Sequence, residues 1–275
     1  MKIGFILGGS NPEAQKRNPV TLGAIEKLRE RGAVVDVIEP RVMTFELSEV
    51  RVRHDLYVIK SVANPVAAAY GATLHALGAA TFNPFPVVQM IRNKIVTLRI
   101  LAEHGVPVPA TYVGGEAEDL VPRLDEGPLI VKPYMGSRGV GVERVATRDE
   151  LLAAAQPPPI LAQRFHQSDD GLDRKISMIG GEVFGVKRVF PLKNYEDKIG
   201  TPLEIDDETR KIALRISRAL RIDLFSFDIV VSGGKPLVVD VGSFGSLMGI
   251  PKAPSLVADR IIRAWEESGR RPPQG

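Results

Sequence analysis

Hydrophobic positions along the chain follow two regimes. Near the N-terminus they come as short runs, Ile3 to Leu7, Ala33 to Ile38 (interrupted by Asp36) and Leu56 to Ile59. The first, which ends in Gly8-Gly9, predicts a buried parallel strand, and the other two predict a second and a third strand. Between the first two, Leu22, Ile25 and Leu28 predict the inner face of a helix, with Gly32 at its C′ position. Asn64 and Pro65 have N-cap and N1 chemistry and start a second helix that ends near Gly78. The prediction is an open α/β lobe over residues 1–85.

Beyond it the pattern changes. One long helix is predicted from Pro86 to His104, stopped by Gly105 with Pro107 and Pro109 behind it. Strands at Leu129 to Tyr134 and Val140 to Val145 flank the turn GSRGVG at 136–141. Thr147 and Glu150 form a capping box for a helix through Ala155. Three prolines then lead to a strand from Ile160 to Phe165, closing a second lobe over 86–165. A third lobe, 166–268, holds two hairpins, Lys175 to Ile179 with Val183 to Val189, and Phe227 to Val231 with Pro236 to Val241. It also holds a helix over 207–220, with Ile212, Ile216 and Leu220 inward, and a closing helix with Leu256, Ile261, Ile262 and Trp265. The tail from Gly269, GRRPPQG, is expected to be disordered.

Composition narrows the chemistry. The 275 residues, 44% hydrophobic and 25% charged, are those of a globular protein. With no Cys, thiolate nucleophiles, disulfide scaffolds and zinc ribbons drop out. The four His, at 54, 75, 104 and 166, lack metal-ligand spacing. The net charge of +3 is spread among alternating signs, so no nucleic-acid surface is expected. The start, MKIGFILGG, is too short an apolar stretch to export or span, so the expectation is a cytoplasmic enzyme or ligand-binding protein with no membrane partner. The apolar first lobe leaves a homodimer open.

Four features carry candidate chemistry. In GSRGVG, Ser137, Arg138, Gly139, Val140 and Gly141 can turn amide groups toward a phosphate, although a plain hairpin tip has the same composition. Lys132 shifts the balance, because a lysine inside the apolar strand LIVKP needs an anionic partner. Lys94 lies on the apolar stripe of the long helix, where a snorkelling lysine is the alternative. Gln163, Arg164 and Phe165 end an apolar strand and could offer backbone groups and an aromatic wall to a purine.

The fourth feature is Asp228 in FSFDIVV and Asp240 in LVVDVG, two carboxylates in apolar strands joined by SGGKP. A divalent cation would relieve both their burial and their repulsion, and a pairing with Lys187 or Arg188 is the alternative. The register decides. A two-residue Gly233-Gly234 turn sets Asp228 against Val239 and sends Asp240 to the other face. A three-residue turn that includes Lys235 sets Ser232 against Pro236 and Asp228 against Asp240. The three-residue register is predicted, because it lines one face with Ile229, Val231, Val239 and Val241 and leaves Val230 and Val238 on the face of the acids.

In this order, RNK at 92–94, LIVKP, GSRGVGV, ILAQRF, DRKISMIGGEV at 173–183, FDIVV and VVDVG resemble the ATP-grasp superfamily, most nearly the RimK-type amino-acid ligases. VKRVFPLKN and GSFGSLMGIP resemble stretches of the inositol-phosphate kinases of the same fold. The resemblance implies an α/β lobe followed by two α+β lobes that clasp ATP. It implies Lys94 and Lys132 as nucleotide lysines, Ser137 to Gly141 as a flap over the phosphates and Gln163, Arg164 and Phe165 as the adenine hinge. Asp173 is implied on the ribose side, and Asp228 and Asp240 as ligands of Mg²⁺, or of Mn²⁺ in its place. One departure stands out: the family usually has a metal-binding Asn where this chain has Gly242.

The activity so implied is an ATP-dependent carboxylate–amine ligase. It would work through an acylphosphate on a small anionic substrate such as an amino acid or peptide, with Arg188 and Lys175 as catalytic cations. A small-molecule kinase using Lys187, Arg188, Lys193 and Lys198 as its anion site is the alternative. Gly242 motivates a third reading, a nucleotide-binding protein with little catalysis.

Overall fold

In the computed structural model, which describes residues 1–9, 18–136, 139–189, 197 and 199–269, the N-terminal apolar runs become strands β1 (Lys2–Gly8), β2 (Val34–Ile38) and β3 (Leu56–Val62). With β4 (Thr81–Phe82) they form one parallel sheet in the order β2-β1-β3-β4. Gly8 is the point of closest approach to β3: a Cβ there would lie 2.1 Å from the Ser61 carbonyl oxygen. Helices α1 (Pro19–Glu30) and α2 (Pro65–Ala76) start on the side-chain caps of Asn18 and Asn64. The buried face of α1 is Val20, Thr21, Ala24, Ile25 and Leu28, and Leu22 is 49% exposed. Steps of three residues drift around a 3.6-residue helix, so Leu22 sits about 120° from Leu28 and leaves the inner face.

The predicted long helix is two, α3 (Phe85–Arg92) and α4 (Lys94–Glu103). Asn93 leaves the helical conformation, and its side chain accepts from the amides of Ile95 and Val96, capping α4. A cap at a polar break outweighs the continuity of the apolar stripe. Strands β5 (Thr111–Gly114), β6 (Leu129–Lys132), β7 (Glu143–Val145) and β8 (Ile160–Arg164) form an antiparallel sheet ordered β5-β8-β6-β7. The capping box of Thr147 and Glu150 is present on α5 (Arg148–Ala154). β7 is shorter than predicted because Gly139 and Gly141, with φ of 72° and 70°, break the extended backbone before it.

The third sheet, ordered β11-β10-β9-β12-β13, contains β9 (Leu172–Ile179), β10 (Glu182–Val189), β11 (Thr201–Leu203), β12 (Leu224–Ser232) and β13 (Lys235–Ser243). Phe225, Phe227, Ile229 and Val241 pack its far face against Ile212, Ile216 and Leu220 of α6 (Asp207–Leu220). The last helix, α7 (Ala253–Ser268), turns back to the first lobe. Val257, Ala258 and Ile261 share a core with Ile3, Phe5, Ala24 and Leu28. Among the described residues no helix is long and apolar enough to cross a membrane. Most of the GRRPPQG tail, residues 270–275, lies outside the described residues.

Candidate active site

The β12–β13 register corrects the sequence reading in one part and reaches its conclusion by another route. The turn has two residues, Gly233 and Gly234, with Ser232 opposite Lys235 and Ile229 opposite Val238. A register shift between Asp228 and Ile229 then inserts Val239 as a bulge, and beyond it Asp228 stands opposite Asp240. Val238, expected on the face of the acids, is fully buried in the core beside Ile229. The short turn is held from outside the hairpin. The Asp169 carboxylate accepts from the amides of Gly233 and Gly234 at 2.8 and 2.9 Å.

Charged side chains line the face that carries Asp228. Lys175 lies opposite Asp228 on β9, and its Nζ is 2.8 and 2.9 Å from the two Asp228 oxygens. Arg188 on β10 donates to Asp173 Oδ2 through Nε and Nη2, at 2.8 and 2.6 Å. Its Nη2 also reaches Asp228 Oδ1 at 2.9 Å. Lys94 Nζ donates to Asp240 Oδ1 at 2.6 Å. The helix break explains this contact: Lys94 opens α4, with its amide on the Tyr134 carbonyl at 2.9 Å, instead of lying in mid-stripe.

Lys132 joins the two antiparallel sheets. Its Nζ donates to Gln163 Oε1 and, at 2.8 Å, to the carbonyl of the bulge residue Val239. Gln163 in turn donates to Thr111 Oγ1 at 3.1 Å, so its side chain orients Lys132. Arg164 turns away from the cleft and binds the carbonyls of Arg123 and Gly127 and the carboxylate of Glu126. The Arg144 guanidinium lies over the Phe165 ring, 5.0 Å from its centroid. Gly139, Val140 and Gly141 lie between β6 and β7, and Ser137, Arg138, Lys193 and Lys198 fall outside the described residues. Lys187 pairs with Asp170 at 3.5 Å.

Burial and charge set the ionisation of this cluster. Burial pushes the Lys132 ammonium down to about 8, against the attraction of Asp240 and with the repulsion of Lys94. Burial would raise the Asp240 carboxyl, but Lys94 and Lys132 outweigh it and hold the group below the usual carboxylate range. Burial and then the Asp228 carboxylate push the Asp173 carboxyl up, to about 6.

Two further cations carry contacts that the sequence motifs do not indicate. Arg92 donates to the Met135 carbonyl at 2.7 Å and feels the field of Asp240. Lys60 lies inside the apolar strand β3; its Nζ lies over the Phe244 ring, 4.2 Å from the centroid, and donates to the Gly245 carbonyl just after β13. A lysine within a buried parallel strand was the available signal.

A divalent cation fits the donor set in one way. Asp228 and Asp240 face each other and offer hard oxygen ligands. Gly242 adds no side-chain donor, and the nearest atom to a Cβ there would be Ser226 Oγ at 4.0 Å. No group of three or more His or acidic residues able to hold a metal occurs among the described residues. Such a pair suits an ion that brings further ligands with it, as phosphates do, better than one caged by protein alone.

The RimK-like ATP-grasp domain matches residues 91–265. A probable alpha-L-glutamate ligase of Klebsiella pneumoniae (strain 342) is 26% identical over 283 residues, covering 92% of this chain and 94% of the relative. The ribosomal protein bS6--L-glutamate ligase of Escherichia coli O7:K1 (strain IAI39 / ExPEC) is 24% identical over 278 residues, covering 90% and 92%. Among solved structures, the RimK domain protein ATP-grasp from Sphaerobacter thermophilus DSM 20745 superposes with a TM-score of 0.75 at 18% identity, over 95% of this chain and 100% of that one.

Proposed function

This chain belongs to the RimK-like ATP-grasp family and is an ATP-grasp ligase; from that premise we propose that ATP and a divalent cation bind on the face shared by Lys94, Lys132, Asp228 and Asp240. The observation that carries the proposal is the clustering of five cations around three carboxylates: Lys94, Lys175 and Arg188 bind Asp240, Asp228 and Asp173, while Arg92 and Lys132 stand in the field of Asp240 with only carbonyl oxygens as acceptors among the described residues. The excess positive charge, partly desolvated, calls for a polyanion.

In the reaction a substrate carboxylate oxygen attacks the γ-phosphorus of ATP, the bond to the β-phosphate oxygen breaks, and ADP leaves. An amine then attacks the acylphosphate carbon, phosphate departs with the C–O electron pair, and the amine loses a proton as the amide forms. Lys94 and Lys132 hold phosphate oxygens, and Arg188 and Lys175 steady charge on the transferred group or the substrate carboxylate. A bound divalent ion would supply Lewis-acid charge neutralisation from Asp228 and Asp240. The relatives put a glutamate amine and a peptide carboxylate first among substrates to try.

With such a pair, ADP and free phosphate are expected in equal amounts, and hydroxylamine should trap the acyl intermediate. Phosphate retained on the acceptor would mark a kinase instead. The lowered Lys132 gives a second check. Only its ammonium form binds phosphate well, so ATP affinity at fixed Mg²⁺ should be level below about pH 8 and fall above it. Calorimetry across that range tests this, and a Lys132→Met variant should lack the fall.

A further inference from the structure

The carboxylates proposed to hold the divalent ion already carry cations of the chain. Lys94 Nζ sits on Asp240 Oδ1 at 2.6 Å, and Lys175 Nζ lies within 2.9 Å of both Asp228 oxygens. Arg188 adds a third charged donor to Asp228 at 2.9 Å. An ion bound at about 2.1 Å from one of these oxygens would lie within about 5 Å of an ammonium group, where like charges in a partly buried site repel. The chain's own cations and a divalent ion therefore compete for the same atoms.

Resting on the function proposed above, we propose that Lys94 and Lys175 exclude divalent cations from Asp228 and Asp240 until nucleotide phosphate draws the ammonium groups away, so that the ion enters with the nucleotide or after it. The backbone permits the exchange without rearrangement. The Lys94 main chain is fixed by the Asn93 cap and the Tyr134 carbonyl, and only its long stem has to swing. A lysine suits this role because its ammonium is a compact charge on a flexible stem.

The test measures Mn²⁺ binding to the full chain from the free-ion electron paramagnetic resonance signal, without nucleotide and with saturating ADP. Wild-type protein should bind Mn²⁺ at least about tenfold more weakly without ADP. Lys94→Met should bind Mn²⁺ without nucleotide at least about tenfold more tightly than wild type, and should bind metal-free ADP more weakly. A merely structural lysine would not move the two affinities in opposite directions. Lys94→Gln and Lys175→Met repeat the measurement should Lys94→Met fail to fold, and adding Asp240→Asn to the lysine variant should remove the gain. Equal Mn²⁺ affinity with and without ADP in wild type overturns the proposal, as does unchanged or weaker nucleotide-free Mn²⁺ binding in the folded lysine variants. Failure of ADP to bind at all would instead remove the nucleotide site on which the proposal stands.

Discussion

Lys132→Met should lose most of the ATP-induced rise in melting temperature while keeping its fold. Ligand bound only by the native state stabilises it by mass action, so the rise reports affinity. Lys132 is 5% exposed, and a charge-assisted hydrogen bond from such a site contributes roughly 1.5–3 kcal/mol, which is about a tenfold to hundredfold loss of ATP affinity. Without ligand the substitution costs less. It strands the Gln163 Oε1 and Val239 carbonyl acceptors but also removes a buried charge, and the two effects oppose each other. Thermal shift and calorimetry with Mg²⁺-ATP would check both, and an unchanged ATP response would remove Lys132 from the site.

Asp228→Asn and Asp240→Asn should each lower Mg²⁺-dependent turnover by roughly a hundredfold or more, because each removes one of two carboxylates that neutralise and position the metal-bound phosphates. The fold should persist. Arg188 keeps Asp173 when Asp228 is lost, and Asp240 is only partly buried. Metal-free ATP binding should survive or tighten in Asp240→Asn, since Lys94 is released toward phosphate. Activity assays beside calorimetry in EDTA separate the two effects. Variants that unfold, or that keep full turnover, would count against a metal role.

The strands and the capping signals were legible in the sequence because they rest on local chemistry: short apolar runs, Asn64 before Pro65, Thr147 three residues before Glu150. The site was legible only in part. Asp228 and Asp240 do face each other, but through a two-residue turn and a bulge at Val239 instead of a three-residue turn. Turn composition could not reveal this, because the turn is fixed by Asp169, more than 60 residues away along the chain. The Asn93 break was hidden by the periodicity of its neighbours, although Asn is a strong N-cap, and with it went the reason Lys94 reaches Asp240. The side-chain role of Gln163 was not legible either: it accepts from Lys132 and donates to Thr111, a relation among three strands that no local pattern contains.

The most direct measurement is a crystal structure with Mn²⁺ and a non-hydrolysable ATP analogue, with the ion located by its anomalous scattering. The expected result is an Mn²⁺ peak between the carboxylates of Asp228 and Asp240, with the Lys94 and Lys132 ammonium groups hydrogen-bonded to phosphate oxygens and Lys94 withdrawn from Asp240. An ion bound elsewhere, or phosphates lying beyond reach of both lysines, would contradict the assignment of this face as the nucleotide and metal site.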